Sequence, residues 1–138
     1  MAYLFDTDAL SQPLRQRPAR RYIEWLEAIP RSDQLTSAVT IGELYKGAFR
    51  VRDAVRHLRN IETRVLPAVT VLPYDVAVAR VHGEIEAALS RSGRRLVDAD
   101  LQIAATAVYH GLDLVTGNLR HFSRVPHLRL HTALADAR

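Results

Sequence analysis

A chain of 138 residues is the size of one ordinary domain, and an apolar fraction of 48% is enough to build one core. The absence of cysteine excludes disulfides and thiolate metal sites, and no apolar run approaches the roughly 20 residues that cross a bilayer. With 19 basic and 15 acidic side chains the formal charge is +4 and the pI about 10.0, which makes nucleic acid a candidate partner.

The opening residues, MAYLFDTDAL, carry no basic leader, and Asp6 interrupts their apolar stretch. The expectation is one domain over residues 1–138, soluble and cytoplasmic, with no membrane contact. Lys46 is the single lysine; the other basic side chains are arginine, whose planar fork suits phosphate. A GC-rich genome would also favour arginine, so charge alone does not carry a function.

In chain order, Tyr3 to Phe5 reads as a strand ending at Asp6, and a short helix follows. Ala19 to Ala28 reads as a helix stopped near Pro30, and Leu35 to Val39 as a second strand. Thr40 to Leu66 is helical in pattern, with a break near Arg52 or Asp53. Val69 to Leu72 is a short β-branched strand. Pro73 breaks the chain, and Asp75 caps a long helix whose Val78, Val81, Ile85 and Leu89 share one face. Gly93 lies just past its end. Asp98 to His110 is a further helix, with Gly111 as terminator. Leu114 to Thr116 reads as a buried strand and Leu128 to Leu130 as a short edge strand. Short strands alternating with amphipathic helices predict an α/β fold around a mostly parallel sheet.

The acids fall at element junctions. Asp6 closes the first strand, Glu43 lies in the first turn after the second, Asp98 and Asp100 open a later helix, and Asn118 follows another strand. Ligands of an open parallel sheet bind beyond the carboxyl ends of its strands, so these residues can converge in one cleft. Gathered carboxylates repel one another unless a cation sits among them, and hard oxygen ligands suit Mg²⁺ or Mn²⁺. Such an ion activates water and steadies the leaving oxygen of a phosphodiester. Arg94, Arg95, Arg120 and Arg124 stand near the same junctions and are candidates to hold an RNA backbone.

Each residue also has a structural reading. Asp8 can cap the first helix, Thr40 and Glu43 form a capping-box pattern, Asp98 is a natural N-cap, and Asp100 favours a helix N-terminus. Asn118 can be a turn residue beside Gly117. Asp98 is read mainly as a cap that also supports the site. The 6 histidines show no paired metal-ligand spacing, and His121 and His127 read as surface residues.

In these residues the sequence resembles the PIN-domain family, and within it the VapC-type toxins of bacterial toxin–antitoxin pairs. The segments that carry the resemblance are LFDTDALS, TSAVTIGELYKGA, DLQIAATAVYHGLDLVTGNLRHF and VPHLRL, in family order and over nearly the whole chain. The resemblance implies a three-layer α/β/α PIN fold and a Mg²⁺- or Mn²⁺-dependent endoribonuclease acting on a tRNA or rRNA loop. It implies a VapB-type antitoxin that blocks the site, a toxin homodimer, and promoter DNA bound only through the antitoxin. Asp6, Glu43 and Asp100 match the family's first three acids. Of these, Asp6 and Asp100 are the expected metal ligands. Asn118 falls where many relatives carry a fourth acid, and Thr116 is expected to orient the attacking water. Two rival readings are a PIN-like module that binds RNA or a partner without cleaving, and a haloacid-dehalogenase-type phosphatase with Asp6 as nucleophile.

Overall fold

The computed structural model describes residues 1–138. Five strands form one sheet: β1 (Tyr3–Phe5), β2 (Gln34–Ser37), β3 (Thr70–Leu72), β4 (Asp113–Val115) and β5 (Leu130–His131). Their order is β3-β2-β1-β4-β5, and every neighbouring pair is parallel. The sheet is thus wholly parallel rather than mostly so. The helices are α1 (Thr7–Ser11), α2 (Arg20–Glu27), α3 (Ala38–Arg50), α4 (Ala54–Asn60), α5 (Val76–Arg91), α6 (Asp98–His110), α7 (Leu119–Phe122) and α8 (Ala133–Ala137). None is long and apolar enough to cross a membrane.

Alternation along the strands builds a core on each face of the sheet. Leu4 and Leu114 face one way, into a cluster with Val78, Ile85 and Leu89 of α5 and Leu101, Ile103 and Ala104 of α6. Phe5 and Val115 face the other way and meet Ala9, Tyr22 and Leu134. β1 and β4 are apolar on both faces because helices cover both, as a parallel sheet requires. The result is the three-layer α/β/α arrangement expected.

The chain breaks follow local chemistry. Asp75 accepts a hydrogen bond from the Val78 N–H at 3.0 Å and caps α5, as its position after Pro73 predicts. Gly93 and Gly111, at φ 69° and 66°, end α5 and α6 in the left-handed conformation that glycine tolerates best. The expected break after α3 falls at residues 51–53.

Several boundaries differ from the sequence reading: β4 runs Asp113–Val115 instead of Leu114–Thr116, and three further differences have a local cause or consequence. β2 stops at Ser37 instead of Val39, because the Ser37 hydroxyl accepts from the Thr40 N–H at 3.0 Å and opens α3 there. The capping-box reading of Thr40 and Glu43 therefore fails: Thr40 is already inside the helix, and Glu43 lies in its second turn. Beyond α4 the helical stretch continues as a π turn over Ile61–Val65 and a tight turn over Leu66–Ala68. The last strand falls at Leu130–His131 rather than Leu128–Leu130, paired with Leu114 and Val115.

Candidate active site

Asp6 follows β1, the central strand, at the carboxyl edge of the sheet. β2 flanks β1 on one side and β4 on the other, so the strand order reverses direction beside Asp6, where parallel sheets open a crevice. Asp6, not Asp8, caps α1: its Oδ1 accepts from the Ala9 N–H at 2.8 Å. Asp6 is only 6% exposed. Burial, and then the neighbouring charges of Asp8 and Asp100, push its pKa from 3.8 up to about 6, against the opposing hydrogen bonds from Thr116 and Ala9.

Thr116, fully buried just after β4, accepts the Asn118 N–H at 3.0 Å. With its oxygen occupied, the hydroxyl proton is free for Asp6. Its position makes it a residue that orients a carboxylate. Asn118 itself is exposed; its side chain caps nothing and makes no hydrogen bond.

Glu43, half-buried on α3, is held by the hydroxyl of Thr7, the residue after Asp6, which donates to Oε1. Its Oε2 has no partner. Asp100, in the first turn of α6, meets His121 of α7, whose Nε2 lies 2.8 Å from Oδ2. The sequence alone reads His121 as a surface residue, and this hydrogen bond corrects that. The signal available is its place three residues after Asn118, one helical turn on. The structure thus brings Asp6, Glu43, Asp100 and Thr116 to one edge, with Thr7 and His121 holding two of the acids.

Asp98 departs from expectation. Val97 is the N-cap of α6, and Asp98 is the first helical residue with no capping bond. It lies instead with His82 and Glu86: one ligand atom from each falls within 4.8 Å of the others, a group that could hold a metal ion. Tyr74 hydroxyl and His82 Nδ1 are 2.7 Å apart there. Arg94, Arg120 and Arg124 line one shared concavity, whereas Arg95 lines another, with Glu86 and Asp98.

Asp8, whose charge bears on Asp6, is itself in ion pairs with Arg15 at 3.3 Å and Arg138 at 2.5 Å. Gly117 lies against this pair: a Cβ there would meet the Arg138 guanidinium and lie 2.7 Å from Asp8 Oδ2, so those flexible side-chain ends would have to shift. Lys46 is exposed on α3 and pairs with no acid, so the phosphatase reading lacks the lysine it needs.

The donor set suits a hard divalent cation. Asp6, raised by burial and then by the charges of Asp8 and Asp100, lies at the same edge as Glu43, which is held by the residue next to it, Thr7; these are oxygen donors of the kind a hard divalent cation takes.

The PIN domain family model matches residues 3–128. Toxin FitB of Neisseria gonorrhoeae is 34% identical over 125 residues, covering 86% of this chain and 89% of that protein. The tRNA(fMet)-specific endonuclease VapC of Shigella flexneri is 34% identical over 129 residues, covering 94% and 96%. Among solved structures, DNA-bound VapBC from Salmonella typhimurium superposes with a TM-score of 0.83 at 30% identity, covering 95% of this chain and 97% of that one. The family model and these relatives cover nearly the full length, and the chain belongs to the PIN domain family.

Proposed function

We propose that this protein is an endoribonuclease toxin that hydrolyses phosphodiester bonds in RNA, works with Mg²⁺ (or Mn²⁺), and is restrained by a VapB-type antitoxin. The observation that carries the reading is the convergence of Asp6, Glu43 and Asp100 on the carboxyl edge of the sheet, with Asp6 buried among like charges. The relatives supply the rest: one is named a toxin and one a tRNA-specific endonuclease, and the solved relative is a VapBC assembly on DNA. The whole chain acts as one domain, in the cytoplasm, as a homodimer within the toxin–antitoxin complex. Promoter DNA is reached only through the antitoxin.

Asp6 and Asp100 would hold the cation, which when bound supplies positive charge to the phosphate and acidifies water. The chain's own residues set the stage. The Ala9 N–H holds the Asp6 carboxylate, the Thr116 hydroxyl favours its charged form, and the Asn118 backbone N–H holds Thr116. His121 holds Asp100. Glu43, pinned through Oε1 by Thr7 and open at Oε2, takes the proton of the attacking water. Water then displaces the 3′ oxygen in line, and the departing alkoxide takes a proton from solvent water, leaving a 5′-phosphate and a 3′-hydroxyl. Asp98 plays no part in these steps and belongs with His82 and Glu86.

Purified protein freed of antitoxin should cut RNA with Mg²⁺ and lose the activity in EDTA. Cyclic phosphate ends, or full activity in excess EDTA, would overturn the mechanism. Binding without cleavage in Mg²⁺ would restore the reading of a non-catalytic module.

A further inference from the structure

Three arginines converge beside the acid cluster with no acid to pair with. Arg94 comes from the connection between α5 and α6, and Arg120 and Arg124 from α7 and the residue two beyond its end. With Gly93 and Ser123 they line one concavity that contains no apolar side chain. All three are exposed. Arg15, Arg20, Arg56, Arg80, Arg129 and Arg138 each have a carboxylate within 4 Å; these three are among the 12 of 18 arginines that do not, and what sets them apart is that they share one concavity. Arg124 donates to the Arg95 carbonyl at 3.3 Å, and the side chains of Arg94 and Arg120 make no hydrogen bond. Like charges are gathered and left uncompensated, an arrangement that calls for an anion.

The cluster is positioned rather than loose. Gly93, at φ 69°, turns the chain out of α5, and the Arg94 N–H closes back on the Leu89 carbonyl at 2.9 Å, so the α5 end sets where Arg94 starts. Arg120 and Arg124 are four residues apart and share one side of their turn. His121 lies between them and points to Asp100 instead. One short helix thus presents histidine to an acid and arginine to the concavity, which puts the two sites within a helical turn of each other.

We propose that Arg94, Arg120 and Arg124 form a phosphate-binding subsite for the RNA backbone next to the cleavage site. This rests on the nuclease reading above. Guanidinium groups grip phosphate oxygens in pairs. No aromatic ring lines the concavity, so it offers no platform for a base and reads the backbone without regard to sequence. Its positive charge also offsets the repulsion that the acid cluster exerts on an approaching strand.

The test measures two quantities. The first is the Kd of a fluorescein-labelled single-stranded oligoribonucleotide of mixed sequence, in EDTA, at several salt concentrations. The second is single-turnover cleavage in Mg²⁺ as a function of enzyme concentration. Arg120→Gln and Arg124→Gln should each weaken binding several-fold. Each should also flatten the plot of log Kd against log salt by about 0.7 for every phosphate no longer neutralised. The maximal cleavage rate should stay within about threefold, so the loss appears in half-saturation and not in turnover. Arg120→Lys should keep much of the salt slope, and Arg20→Gln, on α2 and paired with Glu24, should match the unaltered protein. Unchanged Kd and salt slope in both glutamine variants would overturn the proposal. So would intact RNA binding with impaired antitoxin binding, which would make the occupant an acidic protein segment. Arginine-dependent RNA binding by a protein that fails to cut in Mg²⁺ would instead sink the nuclease reading and leave the subsite standing.

Discussion

Asp6 is the residue whose environment says most. Its carboxyl is raised from 3.8 to about 6, so between those values the folded state holds a proton that the unfolded chain has lost. Its contribution to stability in EDTA therefore falls as pH rises from about 4 to 6, and the penalty persists above 6. It amounts to on the order of 3 kcal/mol by linkage. Asp6→Asn removes that penalty and keeps the acceptor for the Ala9 N–H. The variant should melt at the same or a higher temperature than the parent at pH 7 in EDTA, yet cut no RNA. Loss of the fold in EDTA would make Asp6 structural instead. Glu43 gives a second test, since it is not a cap. Glu43→Gln keeps an oxygen for Thr7 but loses the charge. Stability should hold while single-turnover cleavage falls on the order of 100-fold or more, about 2.7 kcal/mol of barrier at that factor. Cleavage within a few-fold of the parent would leave the chemistry to Asp6 and Asp100. The three acids are legible in the sequence because each sits at a junction. Their holders are not, because Thr7 and His121 become meaningful only when α1 meets α3 and α7 meets α6.

At the scale of elements, the decisive detail is the start of α3. Ser37 is buried and satisfies the Thr40 N–H, so Ser37→Ala should cost about 1 kcal/mol, a fall of several degrees in melting temperature. An unchanged melting curve would mean that another group takes over the cap. Sequence pattern makes Thr40 and Glu43 the cap pair because that motif fits locally. The sheet overrides it: β2 pairs with β3 up to Ser37 opposite Leu72, and the helix begins as soon as that ladder ends. Terminators are easier to read, since few residues other than glycine accept a left-handed backbone. Gly111→Ala should accordingly cost roughly 1 kcal/mol in a denaturant titration. Asp98 misleads for the opposite reason. An acid before a helix looks like a cap, and only packing against α5 shows it beside His82 and Glu86.

Across the whole molecule, cation binding and folding should be coupled. Mg²⁺ at 100 times its dissociation constant should stabilise the protein by about 2.7 kcal/mol, and Asp100→Asn should lose most of that gain. Calorimetry with and without the ion checks it; equal stabilisation of both proteins would remove Asp100 from the cation site. The sheet order itself has a further consequence, in time rather than space. β1 is flanked by β4, with Leu4 opposite Leu114, so the central strand waits for a partner near the far end of the chain. Thr116 and His121, which steady two of the acids, arrive later still. A ribosome making this protein therefore exposes Asp6 and Glu43 long before the cutting edge can assemble. A nascent chain cannot bring this edge together until Thr116 and His121 have emerged and β4 has paired with β1.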